Sequence, residues 1–396
     1  MGFSSDRHPA AARTTLRFLP EEVSSPAVKR TPPTNVSVPV RAPQQARIAI
    51  LRALKSAGVF EAVRDSRWRQ RRLLILCYHG VALDEEHRWQ SALFMEASQL
   101  QERLEILKRD NYNVLPLGEA LQRLYRHDLP SRSVVLTFDD GTHDFYEKAY
   151  PLLRRYGLPA TVYQTTFYSE RGIPVFPLIC SYILWKKRDC LLRADAKIGL
   201  AQDADLSVSE GHQTVLKALV HVAQQERLST RQKNELAAHL SESLHFDYET
   251  LTSQRVLQLM SLEEIRELSH LGVDFQLHTH RHCAPRDQVL FEREIDDNRN
   301  VLASATGVPP VHFCYPSGDY ETRFLPWLKA KGIISATTCD PGLASVRDHA
   351  LLLPRFIDTS SRTALEFESW LTGVGALLSV KASVSRIRKR LGIDKV

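Results

Sequence analysis

Short apolar segments alternate with longer amphipathic segments along the middle of this 396-residue chain, and this alternation constrains the fold more than any other feature. The apolar segments predict strands at 73–77, 134–138, 160–164, 273–277, 311–314 and 333–337. Helical periodicity falls between them, at about 94–109, 144–156, 261–270, 286–304 and 321–330. Because strands that alternate with helices form parallel sheets, the sequence predicts an α/β fold whose strand carboxyl ends gather at one face.

Two adjacent carboxylates stand at the end of the second predicted strand. Asp139 and Asp140 follow an apolar run and are stopped by Gly141. Two like charges side by side repel, so the pair is costly unless a cation or a shared proton compensates. A metal site or an acid–base pair would explain them, and a solvated turn is the alternative.

Three histidines occupy five positions after the strand predicted at 273–277. His278 and His282 are four residues apart, which in a helical turn would place both imidazoles on one face, while His280 would point elsewhere. One Asp oxygen and two His nitrogens leave an open coordination position, which is typical of a catalytic zinc-type site. Ordinary core or surface histidines are the alternative reading. No Glu lies between the histidines, so a base must come from elsewhere, and the second aspartate can supply it.

A further strand ends in a turn that contains Pro316, Ser317 and Gly318. Such turns expose backbone N–H groups, which can bind an oxyanion. An ordinary strand-end turn is the alternative here.

Together these segments resemble the polysaccharide deacetylase family, the NodB-homology carbohydrate esterases. The motifs are TFDDG at 137–141, H-[ST]-x-x-H at 278–282 and F-x-Y-P-x-G at 313–318, and weaker similarity extends over roughly residues 73–360 with one interruption. The resemblance implies a distorted (β/α)7-type barrel, the NodB homology domain. An open doubly wound sheet is the alternative fold.

The resemblance also implies roles for the paired acids and the histidines. Asp139 would be the general base, and Asp140, His278 and His282 would bind a divalent metal ion. Zinc is the first choice for that ion, with cobalt, nickel or iron as alternatives.

The third motif is implied to contact the substrate. The backbone N–H of Ser317 would stabilise the oxyanion, and Tyr315, Pro316 and Gly318 would line the substrate site. Many relatives carry an aromatic residue where Ser317 stands, and the serine keeps the backbone N–H.

The group that protonates the departing amine is not given by the motifs. Many relatives supply a histidine from an L-x-H segment, whereas the matching region here, 351–356, contains none. His79, directly after the first predicted strand, is the candidate general acid, with His349 second. Both could instead be structural. Arg355 is predicted to pair with Asp139 and lower its pKa, with a surface salt bridge as the alternative.

The chain is predicted to carry extensions and one insertion around this barrel. Residues 1–43 are read as a disordered basic tail, 44–72 as an amphipathic helical lead-in, and 73–169 with 259–360 as the barrel. Residues 170–258 are predicted to form a helical cap over the cleft, with a partner-binding or oligomerisation surface as the alternative. Residues 361–396 are predicted as a basic amphipathic helix that packs on the protein or lies on an anionic membrane.

The distribution of charge limits the class of partner, and the cysteine pattern indicates the cellular compartment. Residues 1–72 hold 14 Lys or Arg against 5 acids and residues 381–396 hold 6 against 1, while the whole chain carries a net charge of only +6. The barrel region is therefore net negative, which argues against a nucleic-acid substrate. The six cysteines form no C-x-x-C pair, and no apolar stretch is long enough for a signal peptide or a spanning helix, so we expect a cytoplasmic protein.

The sequence thus predicts a metal-dependent hydrolase that removes N-acetyl groups, or with less support O-acetyl groups, from an amino-sugar-containing polysaccharide, glycolipid or precursor. Hydrolysis of a non-carbohydrate amide or imide on the same site is a second hypothesis. A third is a glycan-binding protein that has lost catalysis. The oligomeric state is left open.

Overall fold

The computed structural model describes residues 41–379, with side chains described from residue 44. The tail predicted at 1–43 and the end of the helix predicted at 361–396 therefore fall largely outside the described residues. The strands are β1 Leu74–Tyr78, β2 Gly80–Val81, β3 Phe94–Met95, β4 Asn113–Val114, β5 Ser133–Asp140, β6 Thr161–Gln164, β7 Leu191–Leu192, β8 Ala204–Asp205, β9 Asp274–Leu277, β10 His312–Cys314, β11 Ser335–Pro341 and β12 Leu353–Ile357.

Helices cover the strands on the outside and build the insertion. They are α1 Arg41–Ser56, α2 Val59–Arg64, α3 Arg67–Gln70, α4 Glu86–Trp89, α5 Ala97–Arg109, α6 Leu117–Arg126, α7 Tyr150–Tyr156, α8 Phe176–Lys186, α9 Ser209–Gln225, α10 Thr230–Ser243, α11 Tyr248–Ser253, α12 Leu262–His270, α13 Gln288–Thr306, α14 Phe324–Ala330 and α15 Ala364–Thr372. A π-helical turn, Phe145–Ala149, precedes α7, and a 3-10 turn, Pro316–Gly318, follows β10.

Seven parallel strands close into a barrel in the order β1-β12-β11-β10-β9-β6-β5, and β5 returns to pair with β1. The predicted distorted (β/α)7-type barrel is therefore confirmed, and the open doubly wound sheet is wrong. Every residue of β1 is buried, and so is every residue of β5 except the last. Strands covered on both faces need continuous apolar sequence, which is why these runs do not alternate with polar residues.

The sequence predicted six of the seven barrel strands and missed β12. This strand contains Pro354, which cannot donate a ladder hydrogen bond and so weakens a strand signal. Its neighbours provide the pairing: Leu353 and Arg355 face β11, and Phe356 and Ile357 face β1. β12 closes the ring and carries Arg355 into it.

Two further differences concern helices. The helix predicted from residue 94 begins at Ala97, because Phe94–Met95 forms a short strand with β2 and Glu96 caps the helix in a capping box with Gln99. Helix α6 was not among the predicted elements, and its apolar face packs with Leu73 and Val135 in one buried cluster near the amino ends of β1 and β5.

The inserted segment has a hydrophobic core of its own. Side chains from α8 to α11 form it together with Trp89 of α4 and Phe94 of β3. The segment rejoins the barrel beside the turn that follows β5, because Met260 N donates to Gly141 O at 3.0 Å. Its limits at 170 and 258, and its role as a cap, stay predictions.

The helical lead-in packs against the last described helix. Leu51 of α1, Phe60 of α2 and Val374, which follows α15, form a small buried cluster. Within the described residues, no helix has the length and apolar character needed to cross a membrane.

Candidate functional site

The predicted site residues come together at the carboxyl ends of the barrel strands. Asp139 and Asp140 end β5, His278 follows β9, Ser317 follows β10, and His79 follows β1. Arg355 reaches the same place from within β12. The candidate site therefore draws on five strands, whose carboxyl ends meet because the barrel is closed.

The backbone conformation of the turn after β5 restricts which residues can occupy positions 140 and 141. Asp140 and Gly141 both have left-handed backbones, with φ of 69° and 75°. Asp tolerates this region better than most residues, and Gly enters it without strain. A Cβ at position 141 would lie 1.9 Å from the Gln164 side-chain oxygen, so only glycine fits here. In this turn Asp140 Oδ1 lies beside His278 and His282, whereas both Asp139 oxygens contact Arg355.

The two metal-ligand candidates of the second motif do not lie on a helix, which corrects the sequence prediction. Residues 278–282 form an irregular loop in which Thr279 and His282 have φ of 62° and 56°. Asn298 of α13 holds the loop start, since its Oδ1 accepts from His278 N at 3.0 Å. The left-handed residues, rather than a helical turn, bring both imidazoles to one carboxylate.

Both imidazoles face the same oxygen of Asp140. His278 Nε2 lies 3.2 Å and His282 Nε2 lies 3.1 Å from Asp140 Oδ1. The Nδ1 of His278 lies 2.9 Å from the Cys314 carbonyl, which can only accept, so Nδ1 carries the proton and neutral His278 has its Nε2 lone pair towards Asp140. A lone pair facing a carboxylate oxygen is repulsive unless a cation lies between them.

The charge balance of this group fits a bound cation. In the described part of the chain, Asp140 Oδ1 is buried and has no hydrogen-bond partner, although two imidazole nitrogens lie close to it. Burial would raise the pKa of Asp140, but His282 and His278 outweigh it and hold the pKa well below its usual range. For His278 burial acts in the opposite direction and lowers the pKa. The two aspartates raise it by more, so the pKa of His278 lies above its usual value. The three side chains thus fit a divalent metal ion, with a proton as the substitute when none is bound.

His280 takes no part in this group, as the sequence predicted. Its Nδ1 lies 2.9 Å from Thr166 Oγ1, on the far side of the loop. Burial is the main cause that lowers the pKa of His280 to about 4, so the ring is neutral.

Asp139 forms a buried, two-pronged ion pair with Arg355. The NH1–Oδ1 and NH2–Oδ2 distances are both 2.7 Å, and the Arg355 side chain is fully buried. The pairing predicted from the sequence forms, and the alternative of a surface salt bridge is wrong. Burial would raise the pKa of Asp139, but the charge and hydrogen bonds of Arg355 hold it below its usual range, so the carboxylate is ionised at neutral pH.

Two thiols complete the surroundings of Asp139. Cys77 Sγ and Cys314 Sγ lie 3.5 Å and 3.4 Å from Asp139 Oδ2. Cys314 therefore contacts both halves of the site, since its carbonyl orients His278 and its thiol faces Asp139. Nothing in the spacing of the cysteines marks these long-range contacts, so the sequence predicted no contact between either thiol and Asp139.

Of the two histidines considered as proton donors, the structure brings only His79 to the site. His79 Nε2 lies 4.0 Å from Asp139 Oδ2. His349 is in a loop whose Ala350 carbonyl accepts from Ala336, near the start of β11, so it lies towards the amino end of the barrel. This placement excludes His349 as the proton donor.

The third motif is only partly placed as expected. Ser317 has a left-handed φ of 56°, and Gly318 packs against Cys339 so closely that a Cβ there would lie 2.6 Å from the Cys339 Cβ. Tyr315 is fully buried and its hydroxyl donates to Leu351 O at 3.0 Å, and Pro316 is buried too. The prediction that Tyr315 and Pro316 line the substrate site needs correction, because their side chains belong to the core in this structure.

A buried acid that the sequence analysis did not single out supports the segment after His79. Asp144 accepts from Val81 N at 2.9 Å, and burial is the main cause that raises its pKa to about 8. A neutral carboxyl group here fixes the chain two residues beyond His79. Its spacing of four residues from Asp140 was the only available sequence signal.

The fold and the site define a parallel β/α barrel with a candidate metal centre of one Asp and two His. The sequence model of the family described as polysaccharide deacetylase matches residues 126–335, more than half of the chain. This protein therefore belongs to the polysaccharide deacetylase family.

Individual relatives match shorter stretches. The putative polysaccharide deacetylase YxkH of Bacillus subtilis is 32% identical over 93 residues, which are 23% of this chain and 31% of the relative. The poly-beta-1,6-N-acetyl-D-glucosamine N-deacetylase of Staphylococcus aureus is 39% identical over 64 residues, 16% of this chain and 22% of the relative. The matched segments thus span less than a third of these curated relatives.

One solved structure covers most of the fold. The Streptococcus pyogenes deacetylase PplD, solved in complex with acetate, is 19% identical with a TM-score of 0.50, and the alignment covers 76% of this chain and 98% of that one. At this identity the similarity supports the barrel fold.

Proposed function

We propose that this protein is a metal-dependent deacetylase that hydrolyses N-acetyl groups, in preference to O-acetyl groups, of an amino-sugar-containing glycan or glycolipid. The observation that carries the proposal is the geometry of Asp140, His278 and His282 beside the ionised Asp139. The names of the B. subtilis and S. aureus relatives support the same substrate class.

The metal would be held by Asp140 Oδ1 and the Nε2 atoms of His278 and His282. When bound, a divalent ion supplies a Lewis acid that polarises a carbonyl oxygen and lowers the pKa of a water molecule. Two imidazoles and one carboxylate suit zinc first, with cobalt, nickel or iron as alternatives.

Asp139 is the proposed general base. Each carboxylate oxygen has two lone pairs, so the contacts with Arg355 leave Asp139 able to accept a proton from the attacking water. Arg355 fixes the orientation of the carboxylate and keeps it ionised. The low pKa makes Asp139 a weak base. Its fixed position beside the candidate metal ligand Asp140 would compensate, because it holds the carboxylate close to the attacking water.

His79 is the proposed general acid, and the turn after β10 is the proposed oxyanion site. His79 Nε2 lies 4.0 Å from Asp139 Oδ2, beyond direct hydrogen-bond distance, so in this proposal a proton would pass between them through a water molecule. The Ser317 backbone N–H would donate to the oxyanion of the tetrahedral intermediate. Serine leaves this N–H unchanged where relatives carry an aromatic residue.

The compartment and the membrane contact are secondary proposals. All six cysteines are free, which supports a reducing compartment such as the cytoplasm. Contact of the basic terminal segments with an anionic membrane rests on their composition alone, because most of these residues lie outside the described part of the chain.

Acetate release tests the proposal. We would incubate the protein with N-acetylglucosamine oligomers, O-acetylated sugars and non-carbohydrate amides, and compare wild type with Asp139→Asn. Loss of the base should lower kcat by about 10²–10⁴-fold. Asp128→Asn, an exposed acid outside the site, is the matched control and should keep wild-type activity.

Each other outcome points to a defined alternative. Turnover of a simple amide or imide but of no acetylated sugar would favour the second hypothesis. Glycan binding with no acetate from any substrate would favour a binding protein that has lost catalysis.

A further inference from the structure

A cavity of about 420 Å³ lies where the inserted segment meets the barrel. Residues 172–174 form one wall, Asn234 and Thr252 come from the insertion, and Arg255, Gln258 and Ser261 lie on the segment that returns to the barrel. The volume falls within the range of small-molecule sites.

The segment that lines the cavity is hydrogen-bonded to the chain that follows Asp140. Gln258 O accepts from His143 N at 2.9 Å, and Met260 N donates to Gly141 O at 3.0 Å. His143 is three residues beyond Asp140, so at most roughly 10 Å of extended backbone separates them. The cavity wall thus contacts the backbone that follows the candidate metal ligand Asp140.

The cavity offers mixed hydrogen-bonding groups. Gln258 Nε2 donates to Thr252 O, and Asn234 Oδ1 accepts from the Tyr248 hydroxyl. Among the described residues, no hydrogen bond uses the remaining Gln258 Oε1 or Asn234 Nδ2. An unused acceptor and an unused donor suit the hydroxyl groups of a sugar, which both donate and accept.

The charge of the lining favours a neutral ligand. Arg255 NH1 forms an ion pair with Glu264, and its NH2 donates to Leu259 O at 3.0 Å. Its positive charge is therefore compensated and gives a phosphate or a carboxylate little advantage. Ile173 and Pro174 add an apolar surface against which a sugar ring can pack.

The segment that forms the wall is held in a strained conformation. Arg255 and Leu257 have φ of 56° and 57°, which is unusual for residues with long side chains. Val175 N donates to Leu257 O at 3.3 Å, so the two walls of the cavity are linked to each other. The cavity shape is thus fixed by backbone contacts.

We propose that this cavity is a distal subsite that binds a neutral sugar residue of the glycan chain whose acetylated residue occupies the metal centre. The insertion would then select chains over single sugars. The inference rests on the proposed function for the nature of the ligand.

Chain-length dependence tests the subsite. We would measure kcat/KM for acetate release, and binding by calorimetry, with β-1,6-linked N-acetylglucosamine oligomers of two to six residues. Asn234→Ala and Gln258→Ala should lower the hexamer-to-dimer ratio of kcat/KM, and of binding affinity, by about tenfold. Gln224→Ala, an exposed amide on α9, is the matched control and should keep the wild-type ratio. Denaturation midpoints would confirm that all variants fold.

The two proposals fail in different ways. Equal affinity for all chain lengths, binding of no oligomer, or variants that behave like Gln224→Ala would overturn the subsite, and any acetate released would still support the deacetylase. Length-dependent binding that the variants weaken, without acetate from any substrate, would support the subsite and refute the deacetylase.

Discussion

Asp139 and Asp140 are neighbours in sequence but have different electrostatic partners. Asp139 is paired with a permanent cation, Arg355, while Asp140 faces two imidazoles whose lone pairs can hold a metal ion. Asp140 itself has a left-handed φ of 69° in the turn that follows β5. Arg355 thus compensates the charge of one acid, and the two imidazoles offer the other acid a candidate cation site, so the repulsion expected between adjacent carboxylates has a separate answer at each residue.

Replacement of Gly141 should disturb the turn after β5. In Gly141→Ala the new Cβ would collide with Gln164, in addition to about 1–2 kcal/mol for a left-handed alanine. We expect a lower denaturation midpoint and weaker metal binding, measured by chemical denaturation and by zinc titration.

Gly157→Ala is the matched control for this change. Its φ is 61°, but nothing lies within 4 Å of the Cβ position, so only the backbone cost should appear. Equal losses in the two variants would show that the contact with Gln164 does not matter.

At the level of elements, α12 links the insertion to the turn that carries the acids. Glu264 accepts from Ser261 N at 2.8 Å, lies 3.1 Å from His143 Nδ1 and pairs with Arg255. One carboxylate thus connects the helix start, the segment after Gly141 and the wall of the cavity.

The pH dependence of stability should report on this link. Burial would raise the pKa of Glu264, but His143 and Arg255 hold it at about 2, below its ordinary value of 4.5. A lowered pKa stabilises the fold fully above pH 4.5 and loses that effect as pH falls towards 2. Glu264→Gln should therefore unfold more easily than wild type at pH 7, by on the order of 1–3 kcal/mol, with the gap narrowing below pH 4.5.

Denaturant unfolding across this pH range is the measurement. Glu267→Gln on the same helix, where the carboxylate accepts only an exposed hydrogen bond from Tyr146, is the control and should stay near wild type throughout. A gap for Glu264→Gln that is constant with pH would contradict the electrostatic explanation.

For the whole molecule, the metal centre would join parts of the chain that are far apart in sequence. Asp140 belongs to β5, whereas the histidines follow β9, on the other side of the insertion. A metal that binds only the folded state stabilises it by about 2.7 kcal/mol at one hundred times its Kd.

We therefore expect zinc or cobalt to raise the melting temperature by a few degrees, and a chelator to reverse the rise and abolish activity. His282→Ala should remove the shift, because its half-exposed side chain contributes a ligand but little packing. His221→Ala, an exposed histidine on α9, should keep it. A shift of equal size in His282→Ala would place the metal elsewhere.

The sequence by itself determined six barrel strands and the set Asp139, Asp140, His278 and His282, because strand periodicity and turn chemistry are local properties. Only the tertiary structure decided how the barrel closes, since β12 gains its pairing from β1 and β11 and carries a proline. The tertiary structure also decided the partners of the site residues. Arg355 pairs with Asp139, which is 216 residues away in sequence, and the Cys314 carbonyl, 36 residues from His278, fixes which ring nitrogen of His278 carries the proton. Such contacts depend on strand order in the closed barrel, which no local pattern encodes.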